Sequence, residues 1–157
     1  MTTTNAIRQL MTAGIPFDTS EYEVDESDLS GVHAAQALGI DADRVFKTLV
    51  TRGDKKGISV FCIPVAEELD LKKCASVTGD KRIEMIHVKE LLGLTGYIRG
   101  GCSPIGMKKK YPTWIDETAI LFDAIYVSAG MRGQQLVIDP EALKAFIGAE
   151  YADVTKR

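Results

Sequence analysis

The chain has 157 residues, 45% of them apolar and 26% charged, with 14 Gly and 5 Pro; a chain this long buries roughly 70% of its unfolded surface, so one domain over 1–157 folds without staples. Its formal charge of −3 excludes a general attraction to polyanions, and any RNA contact has to be local. Cys62, Cys74 and Cys102 form no CxxC pair and indicate neither a disulfide framework nor a zinc site; with no signal-peptide pattern and no membrane-length apolar run, a reducing cytoplasm is expected, with no membrane contact.

In chain order, Ile7, Leu10 and Met11 recur at helical spacing and predict a helix over 4–13, capped by Thr4 and stopped by Gly14. The weakly alternating stretch 15–24 reads as an edge strand, with Tyr22 either packing or lining a cleft. Ser30 caps a helix to Leu38 that sets Val32, Ala35 and Leu38 on one face, and Gly39 ends it. VFKTLVTR (45–52) and ISVFCIPV (58–65) flank GDKKG and predict a hairpin whose second, wholly apolar strand is central. A helix over 67–77, a short strand over 81–86 and a short helix over 88–92 follow. After a glycine-rich loop come a strand-like stretch at 111–115 and a helical turn capped by Asp116. A second hairpin joins 124–128 to 134–138 through a turn at 129–133, and Asp139-Pro140 launches a helix to Ile147. With no repeat and no linker, the reading is one mixed α/β (α+β) domain with a mostly antiparallel sheet.

Two features stand out from this background. The loop GYIRGGCSPIGMKKK (96–110) carries four glycines, a proline, three successive lysines and an arginine between apolar segments. Such a loop either cradles an anion or oxyanion with its free amides, or serves only its turns, with Lys108, Lys109 and Lys110 as a solvated run. The second feature is Lys47, inside an apolar strand between Phe46 and Leu49. Strand alternation puts it on the face of Val45 and Leu49, so it either packs its stem and reaches solvent or points into a pocket as an anion partner.

His33 and His87 lie beside no Ser, Cys or paired carboxylate, which leaves no support for a histidine triad or a metal site. The remaining reactive groups are Lys47, the amides of 100–103, the Ser128 hydroxyl, Tyr22 and Arg99. They suit holding an anionic ligand and stabilising an oxyanion on an already activated substrate such as an ester. Cys102 reads either as a nucleophile or, with no base adjacent, as a small apolar plug.

VFKTLV (45–50), GYIRGGCSPIGMKK (96–109) and IYVSAGMRG (125–133), in this order across nearly the whole chain, closely resemble the YbaK/EbsC family of aminoacyl-tRNA deacylases. The resemblance implies a barrel-like, mainly antiparallel sheet flanked by helices, similar to the editing domain of bacterial prolyl-tRNA synthetases. It also implies a cytoplasmic trans-editing hydrolase with no metal or other cofactor. The expected substrate is a mischarged tRNA, Cys-tRNA(Pro) first, bound by its acceptor end, with prolyl-tRNA synthetase as a candidate partner. A deacylase for another amino acid such as alanine, or a noncatalytic nucleotide or tRNA-end binding module, is the alternative.

Carried onto this sequence, the resemblance makes Lys47, Gly100 and Gly101 the catalytic residues, the lysine as anchor and the glycine amides around the scissile ester. Tyr22, Thr48, Arg99, Ser103 and Ser128 are the expected substrate-binding residues, and the substrate's own thiol or water is the attacker. Two departures stand out: Gln135 where some relatives are acidic, and Cys102 where an aliphatic residue is expected.

Overall fold

The computed structural model describes residues 2–156. The chain begins with α1 (Asn5–Ala13), β1 (Asp18–Glu21), α2 (Gly31–Leu38) and a 3-10 turn (Ala42–Arg44). It continues through β2 (Phe46–Gly53), β3 (Gly57–Pro64), α3 (Leu71–Thr78), β4 (Ile83–Met85) and α4 (Val88–Thr95). The last third holds β5 (Thr113–Asp116), a second 3-10 turn (Glu117–Leu121), β6 (Ile125–Met131), β7 (Gln134–Ile138), α5 (Pro140–Ile147) and β8 (Glu150–Ala152).

Helix starts follow side-chain capping. Thr4 accepts from the Ile7 amide, Ser30 from His33 and Asp139 from Glu141, each satisfying an amide that the first turn leaves without a partner. The expected helix over 67–77 begins later, at Leu71, because the Asp70 carboxylate accepts from the amides of Lys72 and Lys73 and Leu69 is held in a bridge to Thr155. Within α2, Val32 is 37% exposed and the buried face is Ala34 and Ala35, so the expected stripe is rotated toward the small residues. Both hairpins form as expected. The second runs β6 on to Met131, across a shift of register between Ser128 and Met131.

The strands lie in two sheets, β1-β7-β6 and β4-β2-β3-β5-β8, and β3 is central as its apolar sequence requires. Four pairings are antiparallel and two, β3 with β5 and β5 with β8, are parallel. The sheets share a core, in which Phe46, Cys62 and Ile115 of the larger one pack with Val127 and Leu136 of the smaller, and are joined by a bridge between Val45 and Tyr126, so the barrel-like arrangement has no closed ring of strands among the described residues. One core packs α1 and α5 (Ile7, Leu10, Leu143) on β6 and β7 (Ile125, Val127, Leu136, Ile138). A second packs α3 on the larger sheet through Phe61, Ile63, Cys74 and Ile83, with Trp114 stacked on Phe61 at 5.5 Å between ring centroids.

Candidate active site

The site arises where β2 lacks a neighbour. On one side β2 pairs with β3 along its whole length, but on the other β4 covers only Thr51–Gly53 and the second sheet makes its backbone bridge only at Val45. The Val45 carbonyl accepts from the Val65 amide at 2.8 Å. In an antiparallel ladder the hydrogen-bonded positions alternate, so odd-numbered residues of β2 bond to β3 and even-numbered ones present their main-chain groups to the other edge. The Val50 carbonyl confirms that phase by accepting from Ile86 beyond β2 at 3.3 Å. Thr48 therefore turns its amide and carbonyl into the gap.

A cavity of about 370 Å³ fills this gap. Residues 45–50 all line it, odd and even alike, because it lies along an edge of the strand and not over one face. Face alternation alone therefore could not tell where Lys47 leads. The opposite wall is Met85 of β4, Ile86 of the link that follows, and Val88 and Leu91 of α4; Tyr22, Leu29, Ser30, Gly31 and Ala34 cover it; Ser128 and Gln135 close the end. Gly31 admits this closure because any side chain there would overlap Val65.

Of the residues the sequence singled out, Lys47, Tyr22, Thr48, Arg99, Gly100 and Ser128 meet at this cavity. Two do not. Gly101 is absent from its lining, and its amide donates to the Ile98 carbonyl at 3.0 Å across a β-turn. Gly100 takes the third position of that turn with φ 84°, the conformation that favours glycine. The expectation that the Gly101 amide faces substrate is thus corrected: that amide is used within the turn, Gly100 lines the cavity, and Gly101 serves close packing, since a side chain there would press on the backbone of Met131 and Arg132. Ser103 is fully buried, and its hydroxyl accepts from the Ile105 amide at 3.2 Å, so it shapes the loop and is no cavity residue. Lys108, Lys109 and Lys110 are exposed and line no part of the cavity.

The electrostatics are one-sided. Lys47 and Arg99 bring positive charge, and among the described residues the lining holds no Asp, Glu or His. Burial lowers the Lys47 pKa from the ordinary lysine value, with Glu67 and Glu68 opposing the shift at longer range. Cys102 lines the cavity, but burial pushes its thiol up to about 12, so it stays protonated and acts as packing. The Ser128 hydroxyl accepts from the Gly130 amide at 3.1 Å, which leaves its own proton to donate elsewhere. Such a site can hold an anion and polarise a carbonyl, and it offers no activated side-chain nucleophile.

Arg132, which the sequence does not single out, also belongs to this region. Its Nε donates to the Arg99 carbonyl at 2.9 Å and its Nη1 meets Glu26 at 3.2 Å. An arginine in a hairpin turn gives no local sign of such contacts; its place in the IYVSAGMRG motif was the only signal.

Residues 29–146 match the aminoacyl-tRNA editing domain family. EbsC of Enterococcus faecalis, named by inference as a Cys-tRNA(Pro)/Cys-tRNA(Cys) deacylase, is 47% identical over 98% of this chain and 94% of its own length. A proline–tRNA ligase of Shouchella clausii is 32% identical over 66% of this chain, which spans 18% of that ligase. The crystal structure of an inferred trans-editing enzyme for prolyl-tRNA synthetase superposes with a TM-score of 0.84 at 27% identity, covering 100% of both chains.

Proposed function

We propose that this chain, which belongs to the aminoacyl-tRNA editing domain family, is a trans-editing hydrolase that removes amino acid from mischarged tRNA, with Cys-tRNA(Pro) as its preferred substrate. The observation that carries the reading is the convergence of Lys47 and the Gly100 turn on the lining of one cavity without an activated protein nucleophile. An aminoacyl ester is already activated, so its hydrolysis needs positioning and a donor for the carbonyl oxygen more than a strong attacking side chain.

In this reading Lys47 anchors the anionic 3′ end, aided by Arg99 at the rim, and Thr48, Tyr22 and Ser128 hold the aminoacyl-ribose. Water attacks the ester carbon and gives the free amino acid, or the thiol of the substrate's own cysteine attacks it and gives a four-membered cyclic thioester that a water then opens to cysteine. The carbonyl oxygen gains charge that the Gly100 amide meets. The bond to the ribose oxygen then breaks, and that oxygen leaves with a proton as the tRNA hydroxyl. A cavity of about 370 Å³ suits the aminoacyl-ribose end, and the bulk of the tRNA stays outside. An acidic protein binds tRNA weakly through so few cations, so recruitment by prolyl-tRNA synthetase completes the proposal.

The test is release of labelled amino acid from Cys-tRNA(Pro), Cys-tRNA(Cys) and Ala-tRNA(Pro), by wild type and Lys47→Ala. Fastest release from Cys-tRNA(Pro), lost in the variant, is expected. Saturable tRNA binding without release would overturn the hydrolase reading in favour of a binding module, and wild-type rates in Lys47→Ala would remove the anchor. Co-sedimentation with prolyl-tRNA synthetase, with and without tRNA, checks the partner.

A further inference from the structure

The segment 22–30 and the Ile98–Gly101 turn are far apart in sequence but close over the same cavity. Leu29 packs near Gly100, since a side chain built there would meet its Cβ at 3.5 Å. The segment holds its own shape: Asp25 accepts from the Ser27 amide and hydroxyl, Asp28 accepts from the Ser30 amide, and the Asp28 amide donates to the Asp25 carbonyl. One end is tied down where the Tyr22 amide donates to the Gly133 carbonyl at 2.9 Å, and the other enters α2.

Between these ends Glu26 meets Arg132 at 3.2 Å. The same guanidinium donates through Nε to the Arg99 carbonyl at 2.9 Å, inside the turn that presents Gly100. The Arg132 stem also lies along Gly100, with Cγ and Nε each 3.4 Å from where a side chain there would begin. One planar group thus touches the cover and the turn at once, through different nitrogens, as a guanidinium can and an ammonium cannot.

We infer that Arg132 is a positioning residue with two separable arms: Nε fixes the turn that aims the Gly100 amide, and Nη1 latches segment 22–30 over the occupied cavity. This rests on the hydrolase reading above for its kinetic consequences, though not for its structural ones. The outer arm is weak by design of its surroundings, since Glu26 is 78% exposed and an ion pair there contributes little to stability. A weak latch opens readily for substrate entry and product departure. The inner arm acts on the transition state, because a displaced oxyanion donor forfeits catalysis without weakening ground-state binding.

Three variants separate the arms. Glu26→Gln breaks only the latch and is expected to raise KM for Cys-tRNA(Pro) several-fold with kcat unchanged. Arg132→Lys keeps a cation for Glu26 but has no N–H at the Nε position beside the Arg99 carbonyl, so kcat is expected to fall about tenfold or more with KM near wild type. Arg132→Met loses both, and both parameters change. A structural readout runs beside the kinetics: amide hydrogen exchange of Gly101, whose N–H closes the turn, is expected to speed up in both Arg132 variants and to stay as in wild type in Glu26→Gln. Equal exchange in all four proteins, or kcat within twofold of wild type in folded Arg132→Met, would overturn the inference. If wild type released no amino acid from any tRNA, the hydrolase reading would fail while the exchange rates still decided whether Arg132 holds the turn.

Discussion

Ser128 Oγ lies 3.1 Å from the amide of Gly130 and accepts its hydrogen bond, so the register shift of β6 comes with a fixed orientation for a hydroxyl at the end of the cavity. A bulge of this kind re-aims a side chain that a regular strand would direct elsewhere. With one of its lone pairs taken by that amide, the hydroxyl is oriented to donate its proton to a ligand. Ser128→Ala is expected to lower kcat/KM for Cys-tRNA(Pro) about tenfold or more, at the scale of one lost polar contact to the reacting end, while leaving the melting temperature nearly unchanged. Steady-state deacylation with a parallel melting curve checks this.

Lys47 carries a cost in stability for its position. Its pKa is lowered in the folded protein, mainly by burial, so between that value and the ordinary 10.5 the unfolded chain binds more protons. Stability contributed by this group therefore rises with pH through that window. Lys47→Met is expected to melt higher than wild type near neutral pH, to lack that alkaline rise, and to lose deacylation at least 100-fold. A variant that melted lower and stayed active would contradict both parts.

Asp80 shows the opposite sign. Its carboxylate accepts from the Thr78 hydroxyl at 2.6 Å and from the amides of Lys56 and Lys55 at 2.7 Å and 2.9 Å, joining the end of α3 to the turn of the first hairpin. The Thr78 hydrogen bond, with those amides, holds its pKa below 3.8. The stabilisation is fully present above 3.8 and is lost as pH falls through the lowered value. Asp80→Asn is expected to melt lower than wild type at pH 6, with the difference closing below pH 3.8; melting curves across that range test it.

Gly31 tests how the cover is seated. A methyl group at this position would overlap the Val65 side chain, so Gly31→Ala either pushes α2 outward or fails to close the cavity. Overpacking of this kind costs about 1–3 kcal/mol. Denaturant melts should show that loss, and Val65→Ala added to Gly31→Ala should recover part of it. No recovery would mean that α2 is seated by other contacts.

Most of the helices and both hairpins were legible because capping residues, glycine stops and apolar strands are local signals: Thr4, Ser30, Asp116 and Asp139 each cap where expected. What escaped depends on distant partners. The three residues of β8 carry no pattern and become a strand only by lying parallel to β5. Lys47 and Gly100 could be singled out as chemical anomalies, but the fate of each amide in a glycine pair is decided by turn geometry, which gave Gly101 to Ile98. Likewise Ser103 reads as a substrate-binding residue in the sequence, and in the fold its hydroxyl turns inward to accept from the Ile105 amide. Arg132 was invisible because both its acceptors come from other parts of the chain.

The bare edge of β2 has a consequence beyond chemistry. Unpaired main-chain donors and acceptors on an accessible strand recruit further strands, and proteins guard such edges by charge, distortion or concealment. Here the stretch around Thr48 is recessed beneath Tyr22 and Leu29, with Lys47 beside it. The roof that shapes a ligand chamber is thereby also a shield against self-templated aggregation, so damage to 22–30 exposes an adhesive strand as well as an empty chamber.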